Sequence, residues 1–277
     1  MNNYINYSNS VTLLILNLIL YLGAGLTITS RLFLKPNQRP PRILGLSIGA
    51  IGVVIHGFWL YQIVITPYGI NLGFFNALSL VIWTVLVMLL LSSLTKPIDN
   101  LGIVLFPIGA IVMILERSFP TVYFLSQTAS WKLQIHVIVS LLAYSFLTLA
   151  SVQAVLLAIQ DHHLHAHHPG GFVRSLPPLQ TMETLLFEMI GIGFLLLTFS
   201  LATGFLFLED MFAQHLAHKT ILSVLGWLLF GALLIGRFRV GLRGRTVIIW
   251  TLSGFIILIL AYFGSKAVLE LILEQRV

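Results

Sequence analysis

Eight long apolar stretches run through this chain, and they constrain its fold more than any other feature. Each is close to the roughly 20 residues that a helix needs to cross the hydrocarbon core of a bilayer. The sequence therefore predicts an all-α polytopic membrane protein, a bundle of eight transmembrane helices that forms one integral membrane domain over residues 1–277. The approximate spans are 10–33, 43–65, 72–95, 99–115, 131–160, 183–208, 219–236 and 246–270.

The composition supports a lipid environment and excludes several kinds of chemistry. Charged residues make up only 9% of the chain, against about 25% in soluble domains. The apolar surface of the protein is therefore predicted to contact the lipid bilayer. Cysteine is absent, which excludes disulfides, thiolate catalysis, iron–sulfur clusters and thioether-linked haem on this chain. The net charge of +6 comes from basic residues in short loops between apolar runs, which indicates membrane orientation and no nucleic-acid binding.

The distribution of Lys and Arg predicts the orientation of the spans. The N-terminal sequence MNNYINYSNS has no basic residue, unlike a cleaved signal peptide, so the first span is predicted to be a retained helix. The loops after spans 1, 3, 5 and 7 hold ten Lys and Arg, and the opposite side holds five. The positive-inside rule then predicts that both termini lie outside, on the periplasmic side of a bacterial inner membrane, and that residues 161–178 are cytoplasmic.

Two histidines fall inside predicted spans, where polar residues are costly and often functional. His56 lies in the second span, and His136 lies about one turn into the fifth, both in the outer half of the membrane. His136 also begins a stripe of polar residues at i+4 spacing, Ser140, Tyr144 and Thr148, which share one helix face that should point inward. Axial ligation of haem iron is one interpretation. Interhelical hydrogen bonding is the other.

Other polar features of the sequence have simpler explanations. His215 and His218 are three residues apart at an external helix start and could bind a metal or the edge of a haem, although such pairs are usually solvated. Five histidines in DHHLHAHHPGG, residues 161–171, are typical of adventitious metal binding, so no metal site is predicted. Glu183 is expected to cap the sixth helix. The glycines of GLSIGAIG, Gly45, Gly49 and Gly52, favour close helix packing.

Four motifs follow one another through the chain, and together they resemble a known family. They are GVVIHGFWLYQ, FFNALSLVIW, WKLQIHVIVSLLAYSFLTLASVQAVLLA and HKTILSVLGWLLFGALLIGRFRVGLRGRTVIIW. This order resembles the cytochrome c assembly family, which includes the CcsA-type haem handlers and the shorter HemX-type and YpjD-type membrane proteins. The resemblance covers nearly the whole chain from the second span onward. The ending LAYFGSKAV makes the chain most similar to the YpjD-type inner-membrane proteins.

The resemblance implies a set of haem-binding positions, and the chain retains only part of it. His56 matches the first transmembrane haem-ligand histidine of the family, His136 matches the first external histidine, and Trp83 matches the tryptophan of the third-span motif. The tryptophan-rich segment expected before HKTILSVLGW is here FLEDMFAQHLA, without tryptophan. The second transmembrane histidine, expected near Ile235 or Gly236, and the second external histidine in the last span are also missing.

These departures predict a protein that is not a complete haem lyase and not an enzyme. The leading hypothesis is a haem-linked accessory or haem-binding protein. It would hold haem b through His56 and His136 together, or through one of them with His215 or His218. The alternative is a structural or regulatory partner of another membrane protein that binds no haem. A transporter is a third interpretation, but the sequence has no discontinuous helix pair or charged midplane cluster to support it.

Overall fold

The computed structural model describes residues 2–67, 69–125, 131–165, 176–207 and 217–268. These residues are mostly helical, and they include eight helices that are long and apolar enough to cross a membrane. The prediction of eight spans is confirmed, with every boundary at most four residues from the predicted one. The sixth span starts at Leu179 and the fourth ends at Ser118, so both are longer than the sequence indicated.

The helices follow the apolar runs because a helix satisfies its backbone hydrogen bonds within the segment, as lipid requires. The prolines of the loops end the runs, since proline lacks an amide proton. The eight main helices are α1 Asn2–Phe33, α2 Arg42–Val64, α3 Phe74–Ser93, α4 Gly102–Ser118, α5 Trp131–His165, α6 Leu179–Phe207, α7 Ala217–Val240 and α8 Arg245–Ile259. Short 3₁₀ turns at Pro36–Gln38 and Asp99–Leu101 precede α2 and α4.

Contacts within the chain divide it into two compact units. The first unit is Met1–Gln127 with Arg174–Leu176, and it contains α1 to α4. The second unit is Thr128–Val173 with Pro177–Val277, and it contains α5 to α8. The prediction of a single integral membrane domain stays a prediction.

A small antiparallel sheet in the first unit joins the loop after α2 to the loop after α4. Its strands are β1 Ile65–Thr66, β2 Gly69–Asn71 and β3 Phe124–Leu125, in that order. Ile70 pairs with Ile65 on one side and with Leu125 on the other. The side-chain oxygen of Asn71 accepts hydrogen bonds from the amides of Gly73 and Tyr123. The sequence did not predict these strands, which are too short to show an alternating pattern.

The face of α2 that carries Gly45, Gly49 and Gly52 packs against neighbouring helices of the first unit, as the sequence predicted. A Cβ added to Gly45 would lie 2.9 Å from Ile28 of α1, and one added to Gly52 would lie 2.8 Å from the ring of Tyr21. At Gly49 an added Cβ would overlap the ring of Phe106 of α4. These glycines therefore let α1 and α4 approach the backbone of α2, which is how small residues act in membrane helices.

The last helix of the second unit departs from regular α-helical geometry near its end. After α8, residues Leu260–Gly264 form a π-helical segment, followed by a final turn, Ser265–Ala267. The hydroxyl of Tyr144 on α5 donates a hydrogen bond of 2.8 Å to the carbonyl of Leu258, just before this segment. A side chain that bonds into the helical ladder is a known cause of such irregularities.

Candidate functional site

His56 lies in the interior of the first unit with no exposed surface. Its Nδ1 is 2.9 Å from the hydroxyl of Tyr21 on α1, and its Nε2 is 2.9 Å from the hydroxyl of Ser79 on α3. Both partners are also completely buried, and the rings of Tyr21 and His56 meet edge to face at 5.8 Å. One imidazole thus connects three helices through both of its nitrogens.

Two further side chains bond to carbonyl groups of α2 beside His56. Asn17 donates from Nδ2 to the carbonyl of Gly52 at 2.7 Å, and Trp83 donates from Nε1 to that of Val53 at 2.8 Å. The Trp83 ring packs over Gly57, where an added Cβ would lie 3.1 Å from it. The structure therefore places Trp83 against the turn of α2 that carries His56, and the main chain of that turn accepts the indole N–H.

The surroundings of His56 do not fit axial ligation of haem in this conformation. An iron ligand must present an unshared nitrogen lone pair to the metal. Here both nitrogens make hydrogen bonds and the ring is fully enclosed. Ligation would require one of these bonds to break and the helices to separate. The geometry matches the alternative that the sequence left open, in which His56 forms interhelical hydrogen bonds.

Glu116 is a buried carboxylate that the sequence-based prediction missed. It lies near the end of α4 with 6% of its surface exposed, and Trp59 donates from Nε1 to its Oε2 at 2.7 Å. Trp59 follows His56 by three residues on α2, so the two side chains lie near each other on that helix. The predicted fourth span ended at residue 115, which placed Glu116 in a loop. Extending the span by one turn would have identified it as an intramembrane acid.

His136 has a different environment in the second unit. Its ring is half-buried, and Nδ1 lies 3.0 Å from the carbonyl oxygen of Ser200 and 3.2 Å from the hydroxyl of Thr203, both on α6. A carbonyl oxygen only accepts hydrogen bonds, so Nδ1 carries the proton. Nε2 then holds the lone pair, and it has no hydrogen-bonding partner in the part of the chain that the structure describes. This is the tautomer in which a histidine ligates a metal through Nε2.

The polar stripe that begins at His136 faces other helices of the second unit, as predicted. Ser140 contacts the hydroxyl of Ser200 at 2.7 Å and donates to the carbonyl of His136. Tyr144 reaches α8 through its bond to Leu258. Thr148 donates to the carbonyl of Tyr144 within α5. The stripe therefore holds α5 against α6 at one level and against α8 at the next.

The other predicted histidines give little additional information. His218 is exposed in the first turn of α7, and His215 lies outside the described residues. In the histidine tract, His163 uses Nδ1 to bond the carbonyl of Ile159, and residues 166–175 are outside the described part. Among the described residues no group of three or more histidines and carboxylates could hold a metal ion. His56 and His136 belong to different units, and their joint binding of one haem stays a prediction.

Glu183 corrects a prediction, because it does not cap α6. The helix begins four residues earlier, at Leu179. Glu183 instead accepts a hydrogen bond of 2.9 Å from the amide of Gly244, and its second oxygen lies 3.6 Å from Nη1 of Arg237. It thus connects α6 to the loop between α7 and α8.

Comparison with known proteins gives a family match and several relatives. The family model described as cytochrome C assembly protein matches residues 44–273. The inner membrane protein YpjD of Escherichia coli is 34% identical over 209 residues, which cover 74% of this chain and 77% of that protein. An uncharacterized 28.8 kDa protein of Azospirillum brasilense is 30% identical over 209 residues, 72% of this chain and 77% of its own length.

A more distant similarity covers only part of the chain. The cytochrome c biogenesis protein CcsA of Gloeothece citriformis is 28% identical over 98 residues, 35% of this chain and 30% of that protein. No solved structure matches the chain. With eight membrane-length helices among the described residues and a relative named for the inner membrane, the chain is a multi-pass inner-membrane protein.

Proposed function

The chain belongs to the cytochrome c assembly protein family, and from that premise we propose that it is an accessory protein that binds haem through His136. In this proposal it has no catalytic activity of its own and is not a complete haem lyase. Bound haem supplies a redox-active iron. The chain supplies an oriented imidazole and surroundings that are partly shielded from water.

The contact between Nδ1 of His136 and the Ser200 carbonyl is the observation that carries this proposal. The Ser200 carbonyl accepts the Nδ1 proton, and a histidine held in this way directs a basic Nε2 toward a metal. The hydroxyl of Thr203 also contacts Nδ1 of His136, and the hydroxyl of Ser140 donates to the main-chain carbonyl of His136. These bonds position His136 before any ligand arrives, and such preorganisation reduces the entropic cost of binding.

The Lys and Arg distribution supports an outer location for this ligand. Ten basic residues in the loops after spans 1, 3, 5 and 7, against five on the other side, favour external termini. His136 lies near the start of α5, which in this orientation is the outer end of the helix. In the proposal the histidine therefore meets haem at the periplasmic face of the membrane.

A second residue that would hold haem is more readily found at the start of α7 than at His56. His218 is exposed in the first turn of that helix, which belongs to the same unit as His136. His56 has both nitrogens engaged by Tyr21 and Ser79, so we assign it to the interhelical network of the first unit. His215 remains a candidate by its sequence position alone.

The limited similarity to CcsA-named relatives supports the absence of lyase activity. That similarity covers 35% of this chain, and the segment before α7 lacks the tryptophans that the family resemblance leads one to expect. A haem lyase must present haem beside its protein acceptor. We infer that this chain holds or transfers haem without joining it to a polypeptide.

One observation favours a second candidate function, that of a structural or regulatory partner of another membrane protein. His56, the residue that matches the transmembrane ligand position of the family, is saturated by hydrogen bonds and fully buried. If the family position has become structural, haem need not bind. The fold would then serve to hold another protein in the membrane.

The test is an absorption spectrum of the detergent-purified full chain, expressed with ample haem and measured oxidised and after dithionite reduction. We expect a Soret band and sharp reduced α and β bands at near-stoichiometric haem. His136→Ala should lose these bands, and added imidazole should restore part of them. His163→Ala, which removes an exposed histidine of the same helix, is the matched control.

The variants separate the two candidate functions. A wild-type protein with no visible bands contradicts haem binding and leaves the partner role, which crosslinking in membranes would then test. Bands that survive in His136→Ala and vanish in His56→Ala would move the ligand to the first unit and contradict the assignment. Gel filtration of each variant establishes that a lost spectrum is not a lost fold.

A further inference from the structure

Positive charge is concentrated in residues 237–245, a segment that comprises the last turn of α7, the connection at 241–244 and the first residue of α8. We call this segment the arginine loop. Its four arginines are accompanied by no acidic residue. Among the described residues, Arg237 alone of the four has an acidic partner: Oε2 of Glu183 on α6 lies 3.6 Å from its Nη1, and the centre of the Phe187 ring lies 4.6 Å from its guanidinium carbon. The Arg237–Glu183 ion pair does not neutralise the other three arginines of the loop.

The backbone of the arginine loop is held in a defined conformation. Glu183 accepts from the amide of Gly244 at 2.9 Å, and Arg237 donates to the carbonyl of Leu242 at 3.1 Å. Gly241 and Gly244 adopt φ angles of 71° and 63°, in the left-handed region that glycine tolerates best. The loop is therefore a preformed turn and not a flexible connection.

The three remaining arginines, Arg239, Arg243 and Arg245, are exposed. Within the described residues none of them has a carboxylate in ion-pair distance. Arg239 lies in the last turn of α7, and Arg245 is the first residue of α8. Because the intervening residues 241–244 form a tight connection, all three guanidinium groups project from the same end of the α7–α8 pair.

Two large apolar side chains flank Arg239 and define its depth. Phe238 is 85% exposed and Val240 is 78% exposed, although both lie at the end of a membrane-spanning helix. Such side chains avoid water by contacting acyl chains. An arginine between them extends its head toward the interface while its aliphatic part stays in the apolar layer. Arg239 is therefore placed at the level of lipid head groups.

We propose that the arginine loop binds the phosphate of an anionic phospholipid. Guanidinium groups offer planar pairs of donors that match phosphate oxygens. Arg239, Arg243 and Arg245 supply these donors, and Phe238 and Val240 contact the lipid chains. Basic groups near the membrane surface attract anionic lipids. The proposal does not depend on haem binding, because the residues of the arginine loop are distinct from His136, Ser200 and Thr203.

The test is native mass spectrometry of the full chain in detergent with added phosphatidylglycerol or phosphatidylcholine. We expect wild type to retain several-fold more phosphatidylglycerol than phosphatidylcholine. The triple variant Arg239→Gln, Arg243→Gln, Arg245→Gln should lose this preference. The control triple variant Lys35→Gln, Arg39→Gln, Lys96→Gln removes the same charge from loops of the first unit and should keep it.

Three results would overturn the proposal. The first is an unchanged lipid preference in the arginine variant. The second is an equal loss in the control variant, which would make the preference a property of net charge. The third is displacement of the lipid by millimolar inorganic phosphate, which would make the site a free-anion site. If the triple variant is unstable, Arg243→Gln alone, at an exposed loop position, should lower the preference by about half.

Discussion

His56 and His136 occupy equivalent sequence contexts, a single histidine in an apolar span, yet the structure gives them opposite chemical environments. His56 is fully buried, with a hydroxyl on each ring nitrogen. His136 is half-buried and has a carbonyl on Nδ1. Both ring nitrogens of His56 therefore make hydrogen bonds, whereas Nε2 of His136 has no partner among the described residues and can bind a ligand.

The difference lies in the partners and not in the histidines. A hydroxyl donates or accepts, so the ring of His56 can carry its proton on either nitrogen and still satisfy both neighbours. A carbonyl only accepts, so it fixes the tautomer of His136. The same residue type therefore stabilises the interior of one unit and presents a lone pair in the other. Three predictions test this contrast, in order of decreasing effect.

The largest effect is expected for His56→Ala, which should lower the free energy of unfolding by about 3 kcal/mol. The substitution leaves a cavity and two buried hydroxyls without their partner. His136→Ala should cost only about 1 kcal/mol, since membrane hydrogen bonds of this kind are individually weak. Denaturant titration in mixed micelles measures both values. Equal losses at the two positions would contradict the contrast.

A smaller effect is expected from Tyr21→Phe and Ser79→Ala. Each should cost about 1 kcal/mol, because the ring of His56 can move its proton to the side of the surviving hydroxyl and leave only a bare lone pair. The double variant removes this option and buries an unpaired N–H, so its loss should exceed the sum by about 1 kcal/mol. Simple additivity would argue against an adaptable tautomer.

The smallest effect is expected for Thr203→Val. The Ser200 carbonyl still accepts the Nδ1 proton of His136 in this variant, so stability should change by less than about 0.5 kcal/mol and any haem spectrum should be retained. Thr198→Val on the same helix is a useful comparison, because it removes the acceptor of the Trp227 indole. Loss of the spectrum in Thr203→Val would indicate that the hydroxyl, and not the carbonyl, orients the ring.

The features that follow from a regular spacing of residues in the sequence were predictable. Apolar runs of bilayer length give the eight spans, and the spacing of Gly45, Gly49 and Gly52 gives the packing face of α2. The i+4 stripe that starts at His136 gives an inward polar face. These patterns depend on helix geometry alone, which is fixed once a helix is assigned.

The partners of each site were not predictable, because they come from other helices. Tyr21 and Ser79 are 35 and 23 residues from His56, and nothing in their own segments marks them as its neighbours. Glu183 resembles a capping residue by sequence, but it bonds to Gly244, 61 residues away. A span pattern gives the face that a residue occupies, and tertiary packing decides what that face meets.

The π-helical segment Leu260–Gly264 has a consequence for aligning this protein with its relatives. A π turn accommodates one residue more than an α turn, so residues 265–268 are shifted by one position around the helix axis. A relative with a regular last helix should align with a single-residue gap in this segment. In relatives that show this gap, we expect a smaller or non-hydroxyl residue at the position of Tyr144.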